Sequence, residues 1–208
     1  MRIVRLARTP STQEAARDLR AGTVVVADLQ TAGRGRLDRV WEAPAGTALL
    51  ATFVLPARPL ALFRAGVAAA EACGPAVRLK WPNDLLLEGA KLAGLLAEQR
   101  DTRCLLGAGI NLSWAPPGAA MLGVARDDLL ARLIASLETW WPQDEEAVLQ
   151  TWRERADTLG RRVRVELPAG IVEGVARGID GDGALLVGAR SVVVGDVTHL
   201  RTEVADAR

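Results

Sequence analysis

The chain has 208 residues, half of them apolar and a quarter charged, which is the composition of a folded domain with a small appendage and excludes a disordered chain. Twenty-six basic residues against 25 acidic leave a formal charge of +1, which excludes a chain whose main task is to coat nucleic acid or an anionic membrane. The first residues carry no apolar core between their charges and no apolar run reaches the ~20 residues a spanning helix needs, so a cytoplasmic protein is expected.

In chain order, Ser11-Thr12-Gln13-Glu14 fits a capping box, and the spacing predicts a helix from there through Leu19, ending near Gly22. Thr23–Asp28 is a β-branched run that reads as a buried strand. It feeds a long polar stretch rich in Gly and Arg, from Gln30 to Gly46, of the length that marks a functional loop. Leu49–Leu55 is the next strand, and Pro59 opens an alanine-rich helix to Cys73, closed by Gly74-Pro75. Val77–Lys80 and Leu85–Leu87 read as short strands around Trp81-Pro82-Asn83-Asp84, with Glu88-Gly89 as a hairpin turn. Leu92–Gln99 fits strand or helix equally, and Cys104–Ile110 fits a strand. After a Pro-Pro-Gly loop, Asp127–Trp141 places Leu130, Leu133, Ile134, Leu137 and Trp141 on one helical face, and Asp144–Arg155 forms a second helix beside it. Beyond Gly160 the texture becomes alternating. Arg162–Leu167, Ile171–Ile179, Ala184–Val187, Val192–Val194 and Val197–Arg201 read as strands, with Asp180-Gly181-Asp182-Gly183 as a tight turn. The fold class expected is α+β: a mixed sheet with flanking helices over 1–159, then a small SH3-like β barrel over 160–208 packed against it.

The rare residues are unevenly placed. Of the 26 basic residues only Lys80 and Lys91 are lysine, and the only asparagines are Asn83 and Asn111. An ammonium kept in so arginine-rich a chain points to a site that needs a compact charge. Cys73 and Cys104 are far apart and His199 is the one histidine, so a Cys/His zinc site cannot be assembled; both cysteines are expected as reduced core thiols.

Three segments carry chemistry. Gln30–Trp41 (QTAGRGRLDRVW) is a glycine-softened loop with Arg34, Arg36 and Arg39, able to wrap an anion. Lys80–Gly94 (KWPNDLLLEGAKLAG) brings Asp84 and Lys91 to the two sides of a hairpin with Asn83 beside them. There an ammonium can offset charge developing on phosphate while a carboxylate orients or deprotonates an amine. Gly107–Asn111 (GAGIN) lets a ligand approach the backbone closely but lacks the dinucleotide fingerprint, and no P-loop pattern occurs.

Taken together, GRGRxxRxW, KWPND, a lysine seven residues after that Asp, KLAG and GxGIN resemble biotin protein ligases, from Ser11-Thr12 to the C-terminal module. The resemblance implies two half-reactions: biotin and MgATP give biotinoyl-5′-AMP and pyrophosphate, and the biotinoyl group then passes to a lysine of a biotin carboxyl carrier protein. It implies that Lys91 works between carboxylate and α-phosphate, and that Arg34 and Arg36 fold over the adenylate. Asp84 would receive the ammonium of the acceptor lysine. Biotin would be held by Ser11, Thr12, Gln30, Gly33, Arg34, Lys91 and Gly94. ATP would be held by Arg36, Arg39, Trp41, Asn83, Gly107, Asn111 and Arg201, with Mg2+ held mainly by the ATP phosphates and no protein ligands assigned to it.

Gln13, Asp38 and Ala90 depart from the family pattern, at positions where Asn, Gly and a basic residue are common; none is required by the chemistry. Because the motifs begin at Ser11, a form without an N-terminal helix-turn-helix is expected. The C-terminal module mixes both charge signs, so specific DNA binding is not expected. A lipoate ligase or octanoyltransferase of the same fold, which lacks GRGR and KWPND as a pair, and a non-catalytic RNA-binding module are the alternatives. The near-zero charge and the lack of Tyr or Phe stacking residues in a plausible RNA-binding strand stand against the second.

Overall fold

A computed structural model describes residues 1–37, 39–167, 170–193 and 195–200. Its elements are β1 (Arg2–Thr9), α1 (Thr12–Ala16), β2 (Thr23–Gln30), β3 (Ala48–Pro56), α2 (Ala61–Cys73), β4 (Arg78–Lys80), β5 (Asp84–Leu87), β6 (Ala90–Arg100), β7 (Arg103–Asn111), α3 (Arg126–Trp140) and α4 (Glu145–Arg155). The second module adds β8 (Arg162–Leu167), β9 (Gly170–Ile179), β10 (Leu185–Val187), β11 (Arg190–Val192) and β12 (Asp196–His199).

The first seven strands form one mixed sheet in the order β1-β2-β3-β7-β6-β5-β4. Only β1 and β2 run parallel, with Arg2 opposite Thr23; every other pair is antiparallel. Strand alternation sends successive residues to opposite faces. On β7, Cys104, Leu106, Ala108 and Ile110 enter the main core, which α2, α3 and α4 cover. Leu105 of β7 joins a smaller cluster with Ala16, Val25 and Val54 on the other face, where α1 lies. α1 is short and covers only part of that face, so the rest of it is left for a cleft.

The main core holds α2 by its small residues, Ala65, Val67, Ala68, Ala69 and Ala72. Arg64 of α2 is 2% exposed. It donates to the carbonyls of Pro59 (2.8 Å), Trp141 (3.1 Å) and Gln143 (2.5 Å), which ties α2 to the α3–α4 connection.

Strands β8–β12 form a five-stranded antiparallel sheet in the order β11-β10-β9-β8-β12, the SH3-like module. Its apolar side chains Val163, Val165, Ile179 and Leu185 belong to the same core cluster as Phe53 and Trp152 of the first module. The seam is also hydrogen-bonded. Trp81 Nε1 donates to the Gly183 carbonyl (3.0 Å) and Arg153 to the Ile179 carbonyl (3.0 Å). Among the described residues no helix is long and apolar enough to cross a membrane.

Two local expectations change and two open stretches are settled. β1 is a strand where the sequence carried no strand signal. The first helix ends at Ala16, tightened by bonds from Arg17 N to Glu14 O and Leu19 N to Ala16 O. Ala90–Arg100 is a strand, paired along its length with β7. The eleventh strand lies at Arg190–Val192, earlier than Val192–Val194. Asp38, Val194 and Arg201 lie outside the described residues.

Candidate active site

The cleft opens over the glycine-bearing face of β6 and β7. Gly94 and Gly109 stand opposite each other in register, as do Leu96 and Gly107. A Cβ on Gly109 would lie 2.6 Å from Trp41 Cε2, and one on Gly94 would lie 3.2 Å from Trp41 Cζ3. The Trp41 indole thus rests directly on strand backbone. Only residues without a side chain permit that approach.

The loop carrying Trp41 folds as a small hairpin across the cleft. Arg34 and Val40 form a β-bridge, Gly35 N donates to the Arg39 carbonyl (2.7 Å), and Trp41 N donates to the Gly33 carbonyl (3.0 Å). Three guanidiniums on one short loop repel one another unless each is compensated. In the structure each has its own counter-group. Arg34 Nη1 lies 3.2 Å from Glu98 Oε1. Arg36 Nη1 donates to Asn83 Oδ1 (3.1 Å) and to the Gly195 carbonyl (3.5 Å). Arg39 pairs with Asp196. Burial lowers the Arg36 pKa below its usual value, with Asp196 and Asp84 pulling the other way.

At one end of the cleft is a cavity of about 130 Å³, lined at its base by Ser11, Thr12, Gln13, Gln30, Leu96 and Gly107. Ser11 caps α1, its Oγ accepting from Gln13 N (3.2 Å). Gln30 Oε1 accepts from Thr12 N (2.7 Å) and Thr12 Oγ1 (2.9 Å), and Thr12 Oγ1 accepts from Thr52 Oγ1 (2.8 Å). These bonds fix Gln30 with its amide N–H end free. Gln13 donates to the Leu105 carbonyl (3.3 Å), while its buried Oε1 has no partner among the described residues.

A second cavity, of about 430 Å³, lies beyond Trp41 and is lined by Val40, Trp41, Glu42, Lys91, Asn111, Trp114, Pro116 and Ala119. Val40, Trp41 and Lys91 line both cavities. Lys91 Nζ lies 2.8 Å from Asp84 Oδ1 and 5.9 Å from the Trp41 ring centre. The β5–β6 hairpin creates this pair, its turn made by Glu88 and Gly89 at φ 52° and 79°. Asn83 is fixed by donating to the Leu95 carbonyl (2.7 Å), and the Trp81–Pro82 peptide before it is cis. Trp41 Nε1 is buried with no partner.

Thus Ser11, Thr12, Gln30, Arg34, Arg36, Arg39, Trp41, Asn83, Asp84, Lys91, Gly94 and Gly107 are gathered around one cleft. Asn111 faces the second cavity and donates to the Ala120 carbonyl (2.9 Å). Gly33 does not line the first cavity. It backs Trp41 from behind, where a Cβ would fall 2.9 Å from Gln30 Nε2. Gln13, Glu98, Trp114 and Asp196 were not singled out as site residues. Among the described residues, no group of three or more His, Cys, Asp or Glu is placed to hold a metal ion.

A mixed sheet bearing a cationic, two-chambered cleft and followed by a small β module is the architecture of a ligase of the biotin and lipoate class. Residues 6–113 match the biotin/lipoate A/B protein ligase family, and residues 158–200 match the biotin protein ligase C-terminal domain. The biotin–[acetyl-CoA-carboxylase] ligase of Mycobacterium tuberculosis is 39% identical over 212 residues, covering 86% of this chain and 80% of that one. The protein of the same name from Paracoccus denitrificans is 35% identical, covering 88% and 92%. The solved biotin protein ligase of Aquifex aeolicus in complex with biotin and ATP shares the fold with a TM-score of 0.82 at 24% identity, covering 97% and 99%. The chain belongs to the biotin protein ligase family.

Proposed function

We propose that this protein activates biotin with MgATP to biotinoyl-5′-AMP, then transfers the biotinoyl group to one lysine of a biotin carboxyl carrier protein. The observation that carries this is the position of Lys91. Its ammonium stands where an amide-lined chamber meets an aromatic-walled one, the place where a carboxylate in the first would meet a phosphate from the second.

Biotin's ring is a cyclic urea with one carbonyl acceptor and two N–H donors. The base of the first cavity offers the matching set: the free amide N–H end of Gln30, the Ser11 hydroxyl, and the orphan acceptor Gln13 Oε1. A dithiolane or plain acyl chain would leave these buried polar groups unpaired, a discrimination of about 10⁴-fold in sites built this way. Gly94 and Gly107 leave the chain of biotin room along the sheet.

ATP spans the two cavities, its base in the second between Trp41, Trp114 and Asn111, and its phosphates in the first, toward Arg36, Arg39 and Asn83. Mg2+ enters as part of MgATP, on the phosphates. In the first step the biotin carboxylate oxygen bonds to the α-phosphorus and pyrophosphate leaves. Lys91 and Arg34 offset the repulsion between two anions as they meet. In the second, Asp84 takes a proton from the incoming ammonium of the carrier lysine. The free amine then attacks the acyl carbon, the amide bond forms and AMP leaves.

The division of labour follows the chain, with 1–159 binding both substrates and 160–208 bracing the arginine loop through Gly195 and Asp196. Unpaired buried thiols at Cys73 and Cys104 support a reducing, cytoplasmic location. The test is pyrophosphate release from MgATP with biotin, lipoate or octanoate as acceptor. Release with biotin alone is expected, and release with lipoate or octanoate but not biotin overturns the proposal.

A further inference from the structure

Glu98 is a charged side chain on β6 to which the proposed reaction assigns no role. It lies on β6 two residues past Leu96 and four past Gly94, so alternation puts it on the face that forms the cleft floor. Its carboxylate is held from both sides: Oε1 is 3.2 Å from Arg34 Nη1, and Oε2 is 3.4 Å from Arg100 Nη2. The Glu98 side chain is 20% exposed, whereas that of Arg34 is 53% exposed. A long, half-exposed guanidinium has many rotamers, and ordering one costs up to about 2 kcal/mol.

Taking the ligase reaction above as given, we infer that Glu98 is the positioning residue for Arg34. Through a single contact to Nη1 it holds the guanidinium over the cleft and leaves the other N–H groups for the adenylate. Three observations carry this. Among the described residues, Glu98 is the one ionic partner of Arg34. Glu98 is anchored by the rigid sheet, while Arg34 sits on a loop. Arg100 holds the second carboxylate oxygen, so the first stays turned toward Arg34. Glu98 thus prepays ordering that the substrate anion would otherwise have to impose. Arg39 is paired with Asp196 of the C-terminal module, and Arg36 donates both to Asn83 and to the Gly195 carbonyl, so the loop is held from several elements at once.

The test is a double-mutant cycle on the full chain. Glu98→Gln keeps shape and removes charge. It is expected to lower kcat/KM for ATP in pyrophosphate release about fivefold and to speed loss of biotinoyl-AMP to solution similarly, within the coupling range of contacting charges. In an Arg34→Ala background the same substitution should have no further effect. Glu98→Asp, which withdraws the carboxylate by one methylene, should give a smaller defect that also vanishes with Arg34→Ala, and it serves if Glu98→Gln folds poorly. Equal losses in both backgrounds, or no loss in the wild-type background, would overturn the assignment. A wild-type protein that makes no biotinoyl-AMP would instead overturn the ligase reading.

Discussion

Replacing Gly109 with alanine tests whether the Trp41 indole is a fixed wall between the two chambers. The new methyl carbon would stand 2.6 Å from Cε2 and 2.9 Å from Cδ2 and Nε1 of that ring. Carbon atoms in contact lie about 3.5–4 Å apart, so the ring must retreat by about 1 Å. The strand cannot yield instead, because Gly109 is paired to Leu50 on one side and Gly94 on the other. Its backbone is not in the left-handed region, so alanine brings no conformational strain there. The ring has room to move into the cavity it shares with Trp114 and Pro116. Misplacing a group by 1 Å at a reacting centre costs up to about 10²-fold in rate, so kcat/KM for adenylation should fall between tenfold and a hundredfold. The melting temperature should change little. Steady-state pyrophosphate release at varied biotin and ATP, beside a thermal melt, measures both. Gly178→Ala is the control, since its methyl would meet only Leu186 Cδ1 at 3.8 Å. Wild-type adenylation by folded Gly109→Ala would refute the idea that the indole is held against the strands during catalysis.

Other outcomes follow from the same geometry. Lys91→Ala should retain biotin binding and lose about 10²–10³-fold in adenylation rate, and Lys91→Arg should restore little, since a planar fork cannot take the place of a compact ammonium; full activity of Lys91→Arg refutes its role. His199 lies 3.4 Å from Asp157 Oδ2 and 3.3 Å from Thr158 Oγ1. Burial, then the charge of Lys80, lower its pKa below 6.5, with Asp157 opposing and Arg161 adding to the lowering. The unfolded chain therefore takes up the proton first, and this stability contribution is full above about pH 6.5 and lost as the pH falls below it. His199→Gln should flatten the pH dependence of the melting temperature between about 7 and 5; an unchanged slope counts against the assignment. Burial pushes the Cys73 thiol up to about 12 and the Cys104 thiol up to about 11. Neither should react with a thiol reagent at pH 8 until the protein unfolds, and rapid labelling of the native protein would contradict their burial.

Much of this arrangement was legible because local chemistry and fold agree. The β-branched run at Thr23–Asp28, the Glu88-Gly89 turn and the cap at Ser11 each specify their element without tertiary help. β1 was hidden because Arg2, Arg5 and Arg8 interrupt its apolar residues, as befits an edge strand, and its pairing partner lies beyond an intervening helix. Leu92–Gln99 has no periodicity that separates strand from helix; only pairing with β7 decides it. Lys91 and Asn83 were visible as rare residues in a compact motif, and Asp84 through its place beside Asn83. Glu98 and Asp196 were not, because a glutamate and an aspartate are ordinary until the fold sets a guanidinium beside them. Gln13 looked like a harmless substitution; its buried, unpartnered oxygen makes it part of the cavity wall.

The short Lys80–Asp84 turn faces two ways. Trp81, 1% exposed, is sealed under Gly183 of the second module, while Asn83 and Asp84, two and three residues on, hold Arg36 and Lys91. The second module is therefore no detachable accessory. Cutting it away would bring water onto the Trp81 indole, and the loosened turn would carry that disturbance straight into the hairpin that bears Asp84 and Lys91. Calorimetry should accordingly record one melting transition for the whole chain, because a single apolar interior runs beneath both sheets.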